Sequence, residues 1–112
     1  MLSRRGWLAS IHSLPAMMLT DDAAIILITG IPAAGKSTVA DRLARRFRRG
    51  VHVRGDVFRR MVVTGRHDMT STPSEEAWRQ LLLRYRLAAQ TADAYYEAGF
   101  SVVVQDSLSD RS

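Results

Sequence analysis

The run Gly30-Ile31-Pro32-Ala33-Ala34-Gly35-Lys36-Ser37 satisfies the pattern G-x-x-x-x-G-K-[ST] without a gap, and Thr38 carries it on into the next element. The chemistry of such a run is anion binding. Its glycines let successive backbone N–H groups turn inward around a polyphosphate, and the start of the following helix adds a partial positive charge. Lys36 can reach the β- and γ-phosphates of a nucleotide, and the Ser37 hydroxyl can ligate Mg2+. Lys36 is the only lysine among 16 basic residues, which suits a site needing a compact charge on a flexible stem. At this chain's own composition the pattern arises by chance in fewer than about one chain in a thousand. A purely structural glycine turn is therefore the weaker reading.

Two aspartates share a second kind of position, each closing a short apolar run. Asp56 follows Val51-His52-Val53-Arg54-Gly55, where it could accept a proton from a substrate hydroxyl or position that hydroxyl for in-line attack. It could equally be an Asx turn or N-cap of a short helix. Arg59 and Arg60 come one turn later and could grip an anionic substrate, or could lie on a solvated helix face. Asp106 follows Val102-Val103-Val104-Gln105, the place of an acid that holds Mg2+ directly or through water; the alternative is a solvated aspartate at a strand end.

The elements that must position these groups can be read from periodicity. Ala23 to Thr29 is a continuous apolar run, the pattern of a strand buried on both faces of a parallel sheet. From Lys36 to about Arg49, Val39, Ala40, Leu43, Ala44 and Phe47 fall at helical spacing, with arginines mostly opposite and Gly50 as the stop. Val51 to Arg54 is a second short strand, Val57 to about Thr64 a brief helix, and Gly65 to Pro73 a polar loop whose first part, Gly65 to Thr70, could cover a substrate, though loops of that composition are usually only solvated. Ser74 is an N-cap, with Glu75 and Glu76 in the first turn of a long helix. Its predicted core stripe is Trp78, Leu81, Leu82, Tyr85, Ala88, Ala89, Ala92 and Tyr96, closed by Gly99. Phe100 to Asp106 is a third strand, followed by the polar tail Ser107 to Ser112. This order implies right-handed crossovers, a parallel sheet and helices on its faces, with the three candidate groups along the rim formed by the strands' carboxyl ends.

The remaining features set limits. At 112 residues there is room for one domain, and 46% hydrophobic with 24% charged residues is the composition of a folding chain. Cysteine is absent, which excludes a disulfide framework and thiolate chemistry. His12, His52 and His67 are scattered, so a protein zinc site is not expected. No run reaches the roughly 18 apolar residues of a membrane span. The net charge of +5 suits phosphate or nucleic-acid partners, or reflects coding bias. Residues 1–22 have no regular period and read as a poorly ordered leader, with Met17 or Met18 as a candidate alternative start. Arg4-Arg5 loosely resembles a twin-arginine export signal, but His12 and Pro15 break the apolar stretch and no Ala-x-Ala follows, so a cytoplasmic location is expected.

The glycine-rich run, Gly55-Asp56-Val57-Phe58-Arg59-Arg60 and the long helix ahead of Val102-Val103-Val104-Gln105-Asp106 together resemble the P-loop kinase superfamily, especially its chloramphenicol phosphotransferase-like and zeta-toxin-like branch, over residues 23–106. The resemblance implies a three-layer α/β fold of kinase type, an ATP- and Mg2+-dependent transfer to a small-molecule hydroxyl, Asp56 as the base for that hydroxyl, and Lys36 as the main catalytic cation. Polynucleotide kinases and adenylate kinases have a similar acid-then-arginine pattern, which would give Arg59 a substrate-phosphate role. Members of the superfamily run on into two further strands, a lid with arginines and an adenine-binding loop. Against that pattern residues 23–112 read as a partial kinase domain with the first three strands only. In the strand order 2-3-1-4-5 its first strand, Ile25 to Ile28, would be left on an open apolar edge. The chain alone is then expected to be marginal, oligomeric or aggregating and to lack measurable transfer. A nucleotide-binding remnant without activity, or a 5′-hydroxyl polynucleotide kinase, are the alternatives.

Overall fold

The computed structural model describes residues 23–29 and 33–107. The leader of residues 1–22, the loop residues Gly30, Ile31 and Pro32, and the tail from Leu108 onward lie outside the described residues. Six elements follow in chain order: β1 (Ile25–Ile28), α1 (Ala33–Ala44), β2 (Gly50–Arg54), α2 (Gly55–Arg60), α3 (Glu75–Glu97) and β3 (Ser101–Gln105). The three strands pair in parallel in the order β1-β3-β2, the order that the resemblance to P-loop kinases implied. None of the described helices is long and apolar enough to cross a membrane.

Side chains alternate across a strand, so the register divides the apolar residues between two faces. Ile26, Ile28 and Val103 turn to one face and bury against Ala40, Leu43, Ala44 and Phe47 of and after α1. Ile25, Val102, Val104 and Val53 turn to the other, against Ala88 and Ala92 of α3. Alanines at the α3 contact leave little side chain between helix and sheet. With a helix on each face the fold is a three-layer α/β sandwich of P-loop type. β1 is an edge strand among the described residues, yet Ile25, Ile26 and Ile28 are fully or nearly fully buried and only Leu27 is substantially exposed. The apolar part of the anticipated open edge is therefore smaller than the sequence suggested, because the helices cover three of its four side chains.

Three boundaries differ from the sequence reading. α1 starts at Ala33 and ends at Ala44, where Arg46 and Phe47 make tighter bonds to Leu43 and Ala44 carbonyls. Gly50 is not a helix stop but the first residue of β2: the chain doubles back so closely that a Cβ there would collide with the Ala44 carbonyl. α2 begins directly at Gly55 and is over by Arg60. At α3, by contrast, both ends match. The Ser74 hydroxyl accepts from the Ala77 N–H at 3.0 Å, and Gly99, at φ 95°, closes the helix with Gly99 and Phe100 N–H groups bonded to the Tyr96 and Tyr95 carbonyls.

The stripe of α3 is rotated relative to expectation. Trp78 and Leu82 are exposed, while Ala77, Leu81, Arg84, Ala88 and Ala92 are buried. The first half of α3 packs on Met69 of the preceding loop, not on the sheet, which turns Ala77 and Leu81 inward. A direct check of the two-face register is available on β1. Ile26→Ala should cost about 2–5 kcal/mol in urea unfolding, and Leu27→Ala, one residue on but exposed, less than about 1 kcal/mol.

Candidate functional site

The register aligns Ile28, Gln105 and Arg54 in one row across the sheet. All three strands run the same way, so the chain leaves the sheet at the same rim after each of them. The Asp106 N–H still donates to the Ile28 carbonyl at 3.3 Å, which fixes Asp106 as the first residue past that rim. Lys36 and Ser37 lie in the opening turns of α1 and Asp56 in the first turn of α2, the elements entered from the same side. The groups picked out in the sequence thus share one edge, where open parallel sheets bind ligands.

Lys36 is only 3% exposed, Ser37 is half-buried and Thr38 is exposed. Gly35 has open space where a side chain would project, so nothing in the described protein blocks an anion from approaching its backbone. Gly30, Ile31 and Pro32, and the side chains of Ala33 and Ala34, fall outside what is described.

Asp106 is not a solvated strand-end residue. Its side chain is 9% exposed and its Oδ1 lies 3.0 Å from Nη2 of Arg84, itself 5% exposed. The Ser107 N–H donates to the same oxygen at 2.7 Å, while Arg84 Nη2 also donates to the Ser107 carbonyl at 2.8 Å. Oδ2 is buried with no hydrogen-bond partner and lies against Gly55, where any Cβ would collide with the carboxylate. Burial pushes the Asp106 carboxyl above its ordinary range, against the pull of Arg84, the Ser107 N–H and Lys36.

Asp56 is not the helix cap either. That position is Arg54, with no side-chain cap bond, and Asp56 sits inside the first turn. Its Oδ1 is 2.7 Å from Nε of Arg59 and its Oδ2 is 2.7 Å from Nε of Arg60. Burial works to raise its pKa, but the hydrogen bonds and charges of the two arginines outweigh it and hold the carboxyl below its ordinary value. Arg60 is largely exposed. Arg59 is mostly buried and reaches a second carboxylate, Asp68, at 3.1 Å; the hydrogen bond to Asp56 leads the effects that hold it firmly protonated.

Asp68 belongs to the loop whose composition suggested a solvated segment, and most of the loop is exposed, but Asp68 and Met69 are drawn against the helices. Met69 is buried against α3, the His67 N–H donates to Gln80 Oε1 at 2.9 Å, and Gln80 Nε2 donates to the Gly65 carbonyl at 2.9 Å. Between this loop, α2 and α3 lies a cavity of about 170 Å3 with mainly apolar walls, among them Phe58, Met69, Leu81 and Leu87. Arg59 and Arg84, the residues that hold Asp56 and Asp106, also line it. Sequence reasoning missed Arg84 and the cavity. The signal for Arg84 was a charge three residues after Leu81 and four before Ala88, in phase with the buried face. Among the described residues no cluster of three or more His, Cys, Asp or Glu side chains could hold a metal by itself.

A parallel sheet between two helical layers, with G-x-x-x-x-G-K-[ST] following its first strand and running into its first helix, defines a P-loop, kinase-like nucleotide-binding domain. The family comparison agrees: residues 25–112 match the AAA domain, and the chain belongs to that family. No curated protein and no solved structure matches it.

Gly55 is the site's tightest backbone position. Gly55→Ala should lower the melting temperature and weaken nucleotide binding together, because Asp106 is pinned by Arg84 and the Ser107 N–H and has nowhere to swing. Asp106→Ala in the same chain should remove the collision, so the two losses should add to less than their sum in a double-mutant cycle.

Proposed function

We propose that this domain serves an ATP- and Mg2+-dependent phosphotransferase acting on a hydroxyl of a small molecule, within the chloramphenicol phosphotransferase-like and zeta-toxin-like branch of the P-loop kinases, in the cytoplasm. The observation that carries the reading is the common rim of Lys36, Asp56 and Asp106, set by the strand register.

The residues fit a metal–nucleotide. Asp106 Oδ2 is a buried acceptor without a donor, a group that is costly until matched, and Lys36 is a buried side chain whose ammonium bonds to no described residue. Lys36 and the backbone from Gly30 to Thr38 would hold the phosphates, and Ser37 with Asp106 would hold Mg2+. Bound there, the metal supplies neutralising charge to the β- and γ-phosphate oxygens. Asp56, with its lowered pKa, is a weak base, and its part is chiefly to orient the acceptor hydroxyl and take its proton late. A loose phosphoryl-transfer transition state asks for little more.

The cavity favours an acceptor with an uncharged apolar body. A void of similar size lined by aliphatic and aromatic side chains accommodates one benzene ring. Arg59 already serves two carboxylates, which speaks against a second phosphate there and so against the polynucleotide kinase alternative. Exposed Arg42 of α1 and Arg46 just after it are what that alternative would use, and a steep salt dependence of oligonucleotide binding would revive it.

Calorimetry with Mg·ATP tests the nucleotide half: Lys36→Ala should weaken binding about 100-fold or more. Equal binding by folded wild type and variant would discard the assignment. Asp56→Asn should lower turnover by about 10²- to 10⁴-fold while sparing Mg·ATP affinity; unchanged turnover would reduce Asp56 to an ion-pair partner of the arginines.

The pH profile follows from the sign of the Asp56 shift. The ionised carboxylate is the working form and its pKa lies below the usual 3.8, so the acid limb of turnover should fall below the ordinary carboxylate range. Arg59→Ala removes a hydrogen bond and a charge that stabilise the anion, so that limb should move up in pH.

A further inference from the structure

Lys36 and Arg84 are the two buried cations among the described residues, and Asp106 lies between their influences. Arg84 is bonded to the carboxylate, whereas Lys36 acts on it only through its charge and makes no hydrogen bond or ion pair with it. Two cations to one carboxylate leave a surplus positive charge in a buried site, which an arriving anion would relieve. Which cation holds the carboxylate decides where that surplus sits.

We propose that Arg84 is a positioning residue for phosphate binding: by holding Asp106 from the α3 side, it keeps this carboxylate from closing on Lys36 and leaves the ammonium free for phosphate oxygens. The inference rests on the nucleotide-binding reading above. Its geometry is specific. Arg84 Nη2 meets both Asp106 Oδ1 at 3.0 Å and the Ser107 carbonyl at 2.8 Å, so one guanidinium clasps the side chain and the backbone that follow β3. The Ser107 N–H, at 2.7 Å, holds the same oxygen. Gly55 closes the opposite side, leaving the carboxylate no room to turn away. Without Arg84, Lys36 is the buried cation left among the described residues to act on Asp106, and a Lys36–Asp106 pair would have to be broken before a phosphate could bind.

The test compares ATP binding by calorimetry, in EDTA and with Mg2+, for wild type, Arg84→Lys, Arg84→Met and the double variant Arg84→Met/Asp106→Asn. Arg84→Met should weaken ATP binding by about 10- to 100-fold in either condition. The double variant should regain wild-type affinity in EDTA, because no carboxylate remains to claim Lys36. Arg84→Lys keeps a cation on Asp106 and should stay near wild type. Removing both partners also relieves a buried unpaired charge, so the affinities are read beside thermal melts: weakened ATP binding by an Arg84→Met variant that is still fully folded at the titration temperature marks the positioning role, which a merely structural part would not produce. Arg84→Met binding as wild type does, or a double variant as weak as the single one, overturns the proposal. If circular dichroism shows that Arg84→Met does not fold, the two remaining variants decide: wild-type affinity in EDTA for both supports the role, and loss in the double variant overturns it. Wild-type protein that binds no ATP overturns the nucleotide reading itself, whereas wild-type binding with unmoved variants removes the Arg84 role alone.

Discussion

A carboxylate taken out of water must be matched by a cation held at hydrogen-bonding distance, and in this fold that constraint falls on Asp106 and Arg84. The pair lies where β3 ends and the middle of α3 passes over it, so it ties the central strand to the longest helix at the rim that carries the candidate chemistry. Buried ion pairs seldom add much net stability, because desolvation consumes most of the Coulomb gain; breaking one by removing a single partner is what costs heavily, about 3–5 kcal/mol. Its effect here is specification. Arg84 can reach both Asp106 and the Ser107 carbonyl only if α3 sits at one rotation and one height over the sheet.

That rotation explains the rest of the layer. With Arg84 inward, the residues three before and four and eight after it, Leu81, Ala88 and Ala92, must face inward too, and Trp78 and Leu82 must turn out. Ala88 and Ala92 then lie over Val102, Val104 and Val53. One turn earlier Ala77 and Leu81 are carried past the sheet to meet Met69. The loop is drawn in by that contact and delivers Asp68 to Arg59, and through Arg59 to Asp56. The two rim carboxylates are thus held by arginines from different helices, and both arginines border the same apolar cavity.

How much of this could be read from residues alone follows from how local each signal is. The phosphate-binding run, the Ser74 cap, the Gly99 stop and the apolar strands are written within a few consecutive positions, and the fold class followed from them, whereas the strand order came with the resemblance to P-loop kinases. Gly50 was misjudged because a helix stop and a close backbone approach both demand glycine, and only the path of the chain past Ala44 separates them. The α3 stripe was misjudged because hydrophobicity ranked Trp78 and Leu82 above Ala77 and Arg84, while the sheet selects for small size and Asp106 selects for charge. The loop from Gly65 was misread for a similar reason: its polar side chains find partners on α2 and α3 that no sequence window contains.

The charges also bear on what such a site would accept. Asp56 is held by Arg59 and Arg60, and Asp68 by Arg59 and Arg66, so each of these arginines on the acceptor side already has a carboxylate partner. On the phosphate side the balance is reversed: Asp106 is matched by Arg84, and Lys36 remains as a buried cation without a bonded counter-ion among the described residues. A rim divided in this way is selective before any substrate arrives. A polyphosphate gains most beside Lys36, where it completes the charge balance, and gains little beside Arg59, where it would have to displace two carboxylates. An uncharged molecule with an apolar body has the opposite preference, since the cavity beside Arg59 offers burial without an unmatched charge. On the proposed reading, the arrangement of arginines and carboxylates, together with the apolar cavity, would separate a phosphate donor from a hydroxyl acceptor.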